Sequence, residues 1–305
     1  MISYLNRHLD ALAADHTRGA AEIVNDALSL FDDVAKEALA DPSGGESVFN
    51  RAVRRLATGQ PSMAPVLNLI NAVCQFKTES GPDWEVFRTR LGGWREAFLE
   101  REEAILRRVD DAPMVGSTVA TFSNSSTVAS MIIACHKRFG WPQLVLCGEG
   151  RPMLEGLIMA RRLKSEGVSA TLYTDAALMS RVEIADVVWV GGDSLSREGL
   201  VNKVGSRALA ILALMGSKPF MSFLTSDKLL APGLMEYFRY APHNPREIAA
   251  DEADGLDIVN EYYENVPLEL VTGVITEDGL RFPSALVDEM DDQPACELMR
   301  RLVDG

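Results

Sequence analysis

The sequence predicts an α/β protein with a helical N-terminal domain followed by a parallel-sheet C-terminal domain. Over the first 110 residues the apolar positions recur at helical spacing. From Met114 that period gives way to short β-branched runs alternating with helical stretches, the pattern of βαβ units. These runs are apolar on both faces, as strands covered by helices on either side must be. The division is placed at 1–110 and 111–305. A chain of 305 residues with 47% hydrophobic and 24% charged side chains has enough material for two domains of ordinary size.

Taken in order, Leu5, Leu9, Leu12 and Ala13 form a first helical stripe, and Ala20, Ile23, Val24, Ala27 and Leu28 a second. Val48, Ala52 and Leu56 form a third, and Met63, Val66, Leu67, Ile70 and Val73 a fourth. Glycine and proline break the period at 41–45, 59–61 and 81–82, and a long charged helix over 84–109 leads out of the region. Strands are expected in 115–121, 143–147, 169–174, 185–191 and 218–223, with a further one over 269–276 ahead of a polar C-terminal tail. The acidic, proline-punctuated stretch 231–265 reads as an excursion of loop and short helix.

Charge and motif content exclude several functions. With 30 basic against 44 acidic side chains, a net charge of −14 opposes direct binding of nucleic acid through phosphate contacts. The N-terminus lacks a basic segment leading into an apolar one, and the apolar run 208–215 is too short to cross a bilayer, so neither export nor membrane insertion is expected. Cys74, Cys135, Cys147 and Cys296 are scattered without C-x-x-C spacing, as reduced thiols of a cytoplasmic protein would be. His8, His16, His136 and His243 have no metal-ligand spacing, so no metal is expected. Neither G-x-G-x-x-G nor a P-loop follows the first strand, so no cofactor is expected, and no G-x-S-x-G elbow points to a serine hydrolase.

Two segments carry candidate chemistry. The first strand runs into Phe122-Ser123-Asn124-Ser125-Ser126-Thr127 and then an apolar helix, which places hydroxyls and backbone N–H groups at the positive end of a helix dipole, where phosphate is held. A serine-rich helix cap is the plainer reading of the same residues. The strand over 185–191 delivers Gly191-Gly192-Asp193, and a glycine-containing loop is expected to return to Asn202-Lys203 at the start of a helix. Asp193 beside glycines is commonly a turn cap. An amide and an ammonium near it suit a phosphorylated, hydroxyl-rich ligand, with Asp193 able to exchange protons.

The blocks T-F-S-N-S-S-T-V, C-G-E-G-R-P-M-L-E-G, L-Y-T-D-A-A, V-G-G-D-S and N-K-V-G-S, in this order, together resemble one family. It unites methylthioribose-1-phosphate isomerase, ribose-1,5-bisphosphate isomerase and the alpha, beta and delta subunits of eukaryotic translation initiation factor two B. The segments P-L-E-L-V-T-G-V-I-T-E-D-G and P-S-A-L-V-D-E-M look like that family's last strand and tail.

The resemblance implies a Rossmann-like C-terminal domain and a homodimer or larger homo-oligomer. It implies a small phosphorylated sugar or nucleotide as ligand. Thr17-Arg18-Gly19-Ala20 is similar to the isomerases' phosphate-binding Arg-Gly-Ala segment, and Gln60 stands where those enzymes tend to have an arginine. Arg151, Asn202 and Lys203 match phosphate or substrate contacts, joined by Asn124 and Ser125 from the serine-rich turn. Asp193 matches the isomerases' aspartate, whereas Ser123 occupies the place of their cysteine, as small residues do in many regulatory subunits. Two functions follow. One is an aldose–ketose isomerase of a pentose 1-phosphate or 1,5-bisphosphate, with Asp193 and Ser123 catalytic. The other is a non-catalytic sugar-phosphate or nucleotide sensor.

Overall fold

The computed structural model describes residues 2–15, 18–240, 243–249, 256–290 and 295–305. The chain forms two compact units, one of residues 1–100, 227–241 and 290–305, the other of residues 101–226 and 242–289. The first unit therefore draws on three stretches of sequence, which differs from a single cut at residue 110.

The first unit is helical, with α1 (Ile2–Ala13), α2 (Ala20–Ala40), α3 (Pro42–Gly59) and α4 (Ala64–Ser80), and α5 (Trp84–Leu106) carries the chain onward into the second unit. Asp41 ends α2 and caps α3, accepting from the Gly44 N–H at 3.1 Å, and Pro42 fills the first helical position, where its missing N–H is not needed. The break expected over 41–45 is thus one residue wide. Gly45 lies inside α3, where a Cβ would come within 2.3 Å of the Ala38 Cβ, so glycine lets α2 and α3 pack in direct contact. Phe49 centres the core, its ring 5.7, 5.8 and 5.8 Å from those of Phe31, Trp84 and Phe87.

The second unit runs β1 (Thr118–Thr121), α6 (Ser126–Phe139), β2 (Leu144–Gly148), α7 (Glu155–Ser165), β3 (Ala170–Tyr173), α8 (Asp175–Arg181) and β4 (Val187–Val190). It continues through β5 (Ser194–Ser196), β6 (Gly199–Lys203), α9 (Ser206–Met215), β7 (Phe220–Phe223), β8 (Tyr263–Val266), β9 (Gly273–Thr276), β10 (Gly279–Arg281) and α10 (Pro283–Met290). The main sheet has the order β10-β9-β7-β4-β1-β2-β3 and is parallel except for β10 against β9. A separate antiparallel ribbon has the order β5-β6-β8. This is the expected α/β class, helical first and parallel-sheet second.

Trp189 on β4 is fully buried between Trp141 and Phe223, with ring centroids 4.9 and 4.6 Å away. Just before β4, the Asp186 carboxylate accepts from the Ser117 and Thr118 N–H groups at 2.7 and 2.9 Å, clamping the starts of β4 and β1 together. Those bonds hold its carboxyl below the usual range. Asp186→Ala is expected to cost about 2 kcal/mol at neutral pH. Because the folded-state pKa is depressed, this contribution is present above the ordinary value of 3.8 and disappears as pH falls through the lower folded value. Urea midpoints of the two proteins, compared from neutral to strongly acid solution, should converge only at the acid end.

Three expectations change at this level. Residues 194–201, expected as a loop, and Asn202-Lys203, expected at a helix start, together form the β5–β6 hairpin. The excursion over 231–265 contains 3-10 turns at Pro232–Tyr237 and Pro245–Glu247 and then enters β8. The expected polar tail folds as β10, α10 and, in the first unit, α11 (Glu297–Asp304), whose Met299 and Leu302 are buried. Charged neighbours in Glu-Leu-Met-Arg-Arg-Leu hide that apolar stripe in the linear sequence.

Candidate functional site

From β1 the chain moves through β2 to β3 on one side, then crosses to place β4, β7 and β9 on the other. The strand order therefore reverses between β1 and β4, and open α/β sheets bind ligands outside the carboxyl ends of the strands at such a point. The two loops that leave there are Phe122-Ser123-Asn124-Ser125 and Gly191-Gly192-Asp193. A Cβ on Gly191 would stand 2.7 Å from both the Cβ and Oγ of Ser125, so the absence of a side chain lets the loops touch.

Ser125 caps α6, its Oγ accepting from the Val128 N–H at 3.3 Å, and this leaves the first N–H groups of the helix directed outward at the switch point. Asn124 is exposed beside it. Phe122 lies beneath, its ring against the α-carbons of Gly148 at the end of β2 and of Gly205 before α9, where added Cβ atoms would approach it to 2.6 and 2.8 Å. The ends of β1 and β2 and the start of α9 meet on this one side chain.

Ser123 has φ +65°, in the left-handed region where a non-glycine residue is strained by about 1 kcal/mol or more. Ser123→Gly should therefore raise stability by about 1 kcal/mol, read as a higher urea midpoint at unchanged slope. Among the described residues no histidine or lysine bonds to the Ser123 hydroxyl. Nor is a thiolate at hand. Burial, with Asp110 adding to it, pushes the Cys135 thiol up to about 12, and burial alone does the same to Cys147.

The β5–β6 hairpin supplies the other side of the site. Ser194 pairs with Val201, and the Asp193 N–H donates to the Val201 carbonyl at 2.8 Å, so Asp193 stands across the ribbon from Asn202. Asn202 and Lys203 close strand β6, three residues ahead of α9, where a helix start was expected. The β8 strand, pairing Asn202 with Glu264 and Lys203 with Tyr263, draws the segment into extended form. The two side chains take different partners. Asn202 Nδ2 donates to Ser206 Oγ at 2.9 Å in the interior, while Lys203 Nζ donates to Glu155 Oε1 at 3.0 Å and lies 4.3 Å from the centroid of the Tyr262 ring.

Arg151 follows β2. Its N–H and that of Gly150 both donate to the Asp175 carboxylate at 2.8 Å, which shapes the loop and leaves the side chain exposed, with Nη2 reaching the Ile248 carbonyl at 3.4 Å. Four further residues of this region escaped the sequence reading: Glu155, His243, Glu247 and Tyr262. The Tyr262 hydroxyl donates to Glu247 Oε2 at 2.6 Å, and His243 stacks on the Tyr262 ring at 3.5 Å. Burial first, then the nearby Asp193 and Glu155 carboxylates, pushes the Tyr263 phenol well above its ordinary range. These pairings join residues far apart in the chain, and the only signal available was Glu155 inside the quoted Gly-Arg-Pro block.

Arg18, Gly19 and Ala20 belong to the first unit; Thr17 lies outside the described residues. Gly19 caps α2 and Ala20 is its first residue, with Glu22 reaching back to the Gly19 N–H at 3.3 Å. The Arg18 guanidinium is held by Asp15 and Asp26, each at 2.6 Å, and these bonds raise its pKa. Gln60 is buried and donates to the Leu12 and Asp15 carbonyls at 2.9 and 2.7 Å, so it caps the end of α1. Among the described residues no group of three or more histidine, cysteine, aspartate or glutamate side chains could hold a metal ion, and no helix is long and apolar enough to cross a membrane.

Comparison with known proteins agrees with this architecture. Residues 16–283 match the initiation factor 2 subunit family. The chain is similar to ribose 1,5-bisphosphate isomerase of Archaeoglobus fulgidus, at 28% identity over 270 residues that cover 86% of this chain and 84% of that protein. It is similar to methylthioribose-1-phosphate isomerase of Thermus thermophilus, at 30% identity over 257 residues, 77% of this chain and 74% of that one. Among solved structures, translation initiation factor eIF-2B of Pyrococcus horikoshii OT3 shares the fold with a TM-score of 0.75 at 22% identity, covering 93% of this chain and 98% of that one.

Proposed function

This chain belongs to the initiation factor 2 subunit family, and we propose that within it the protein is an aldose–ketose isomerase of a pentose 1-phosphate or pentose 1,5-bisphosphate. The observation that carries the reading is Asp193, which follows the carboxyl end of β4 at the switch point, stands across the hairpin from Asn202, and continues the loop whose Gly191 packs against Ser125 at the start of α6. The outward N–H groups of α6, with Ser125, Asn124 and Arg151, suit a phosphate. For Asn202 and Lys203, whose side chains are bonded to Ser206 and Glu155, a substrate role rests on the family resemblance. For Arg18, Gly19 and Ala20 a phosphate role rests on the family resemblance.

In the reaction, the Asp193 carboxyl gives its proton to the ring oxygen as the bond from that oxygen to C1 breaks. As carboxylate it then takes the proton from C2, leaving an enol between C1 and C2, and returns a proton to C1 as the C2 oxygen becomes the ketone. The proton from the C2 hydroxyl returns, directly or through solvent, to the Asp193 carboxylate, so the cycle ends with the carboxyl protonated as it began. Ser123 serves as a hydrogen-bonding group. The protein is further proposed to work as a homodimer or larger homo-oligomer in the cytoplasm.

A second reading has its own observation. Ser123 replaces a thiol, and no described histidine or lysine activates its hydroxyl, which fits a sensor that binds sugar phosphate or nucleotide without turnover. Ketose formation from ribose 1,5-bisphosphate and from methylthioribose 1-phosphate separates the two. Turnover of either supports the isomerase, and binding without turnover supports the sensor.

A further inference from the structure

The Lys203 ammonium is almost entirely withdrawn from solvent, its side chain 4% exposed, with its charge met by Glu155 Oε1 at 3.0 Å and by the face of Tyr262. Tyr262 is anchored at its far end by Glu247, and the Asn260 amide donates to the same Glu247 oxygen at 2.7 Å. The second oxygen of Glu155 is covered and has no hydrogen-bond partner among the described residues. It lies beside Gly150, where a Cβ would come within 2.9 Å of it. This flank of the site therefore sets Lys203 and Arg151 against Glu155, Glu247 and Asp193, and the buried ammonium of Lys203 is already neutralised by Glu155.

We infer that Glu155 is a specificity-determining residue: by pairing with Lys203 it makes this flank receive the uncharged, hydroxyl-bearing end of a pentose and reject a second phosphate. The inference rests on the isomerase or sensor reading only in taking a pentose phosphate as ligand. A dianion beside Glu155 and Glu247 meets like charge in surroundings where screening is weak. A sugar hydroxyl carries no charge, so it meets no such repulsion and gives up no attraction to the ammonium that Glu155 already neutralises. Selectivity here is repulsion of the wrong ligand.

The test is calorimetric binding of ribose 1-phosphate and ribose 1,5-bisphosphate to the full chain as wild type, Glu155→Gln and Glu155→Asp, so that turnover is not needed for a readout. Wild type is expected to bind the monophosphate roughly tenfold or more tightly than the bisphosphate. Glu155→Gln keeps the shape, removes the charge and frees Lys203, and should tighten bisphosphate binding by roughly tenfold with little change for the monophosphate. Glu155→Asp keeps the charge and should keep the preference. A wild-type preference for the bisphosphate, or equal weakening of both ligands by Glu155→Gln, overturns the inference while leaving the isomerase reading standing. Failure of wild type to bind either ligand overturns both.

Discussion

Asp193→Asn is expected to lower turnover of the pentose phosphate by roughly a thousandfold or more while changing its dissociation constant only a few-fold. The substitution keeps the size and one hydrogen-bonding oxygen of the side chain but removes the transferable proton. General acid–base catalysis by a placed side chain contributes roughly 10²–10⁴ in rate, and here one carboxyl serves both ring opening and transfer from C2 to C1. The backbone that positions it is independent of its charge, since the Asp193 N–H is bonded to the Val201 carbonyl. Ser123→Ala, by contrast, removes only a hydrogen bond and should cost roughly tenfold or less. Single-turnover rates and equilibrium binding on the same preparations check both. An Asp193→Asn protein that still turns over at near wild-type rate would remove this residue from the mechanism.

Gly156→Ala should be the most damaging single-methyl change in the second unit, destabilising it by at least about 4 kcal/mol. A Cβ there would fall 1.6 Å from the Gly148 carbonyl oxygen and 2.7 Å from its carbon, so the obstacle is backbone and cannot swing aside. The Gly156 N–H also donates to the Glu149 carbonyl at 2.9 Å, fixing the start of α7 against the end of β2. Relief requires α7 to lift from the sheet, and Glu155, the adjacent residue, would then lose its 3.0 Å contact with Lys203. Removing that partner leaves a buried ammonium uncompensated, which adds to the loss. Urea unfolding of the variant, with sugar-phosphate binding measured alongside, reads both effects. A midpoint close to wild type would show that α7 does not pack against β2 as described.

The sequence made the class of fold legible because its two periods are strong. Stripes such as Leu5–Leu9–Leu12 and runs such as Val187–Val190 each have one stable way to be buried. The serine-rich turn and Gly191-Gly192-Asp193 were legible as strand-end loops, since glycine and cap residues mark such places. Asn202 and Lys203 were legible as polar residues of the site but not as strand residues. All five positions of β6 are buried, so no alternation betrays it, and its partner β8 comes sixty residues later, after an acidic stretch. Gln60 was read as a lost cation because side-chain identity was visible and its carbonyl partners on the preceding helix were not. Glu155 and Tyr262 were missed for the same reason. What defines them is a buried lysine that each reaches from a distant segment.

The measurement that bears most directly on the central claim is a phosphorus NMR time course of ribose 1,5-bisphosphate and of methylthioribose 1-phosphate with the wild-type protein, run beside Asp193→Asn and Ser123→Cys. An isomerase working through Asp193 converts at least one of them to the ketose as wild type, and the aspartate variant does not. No conversion by wild type, with conversion appearing only in Ser123→Cys, would contradict the claim and identify the protein as a binder whose chemistry was lost with the thiol.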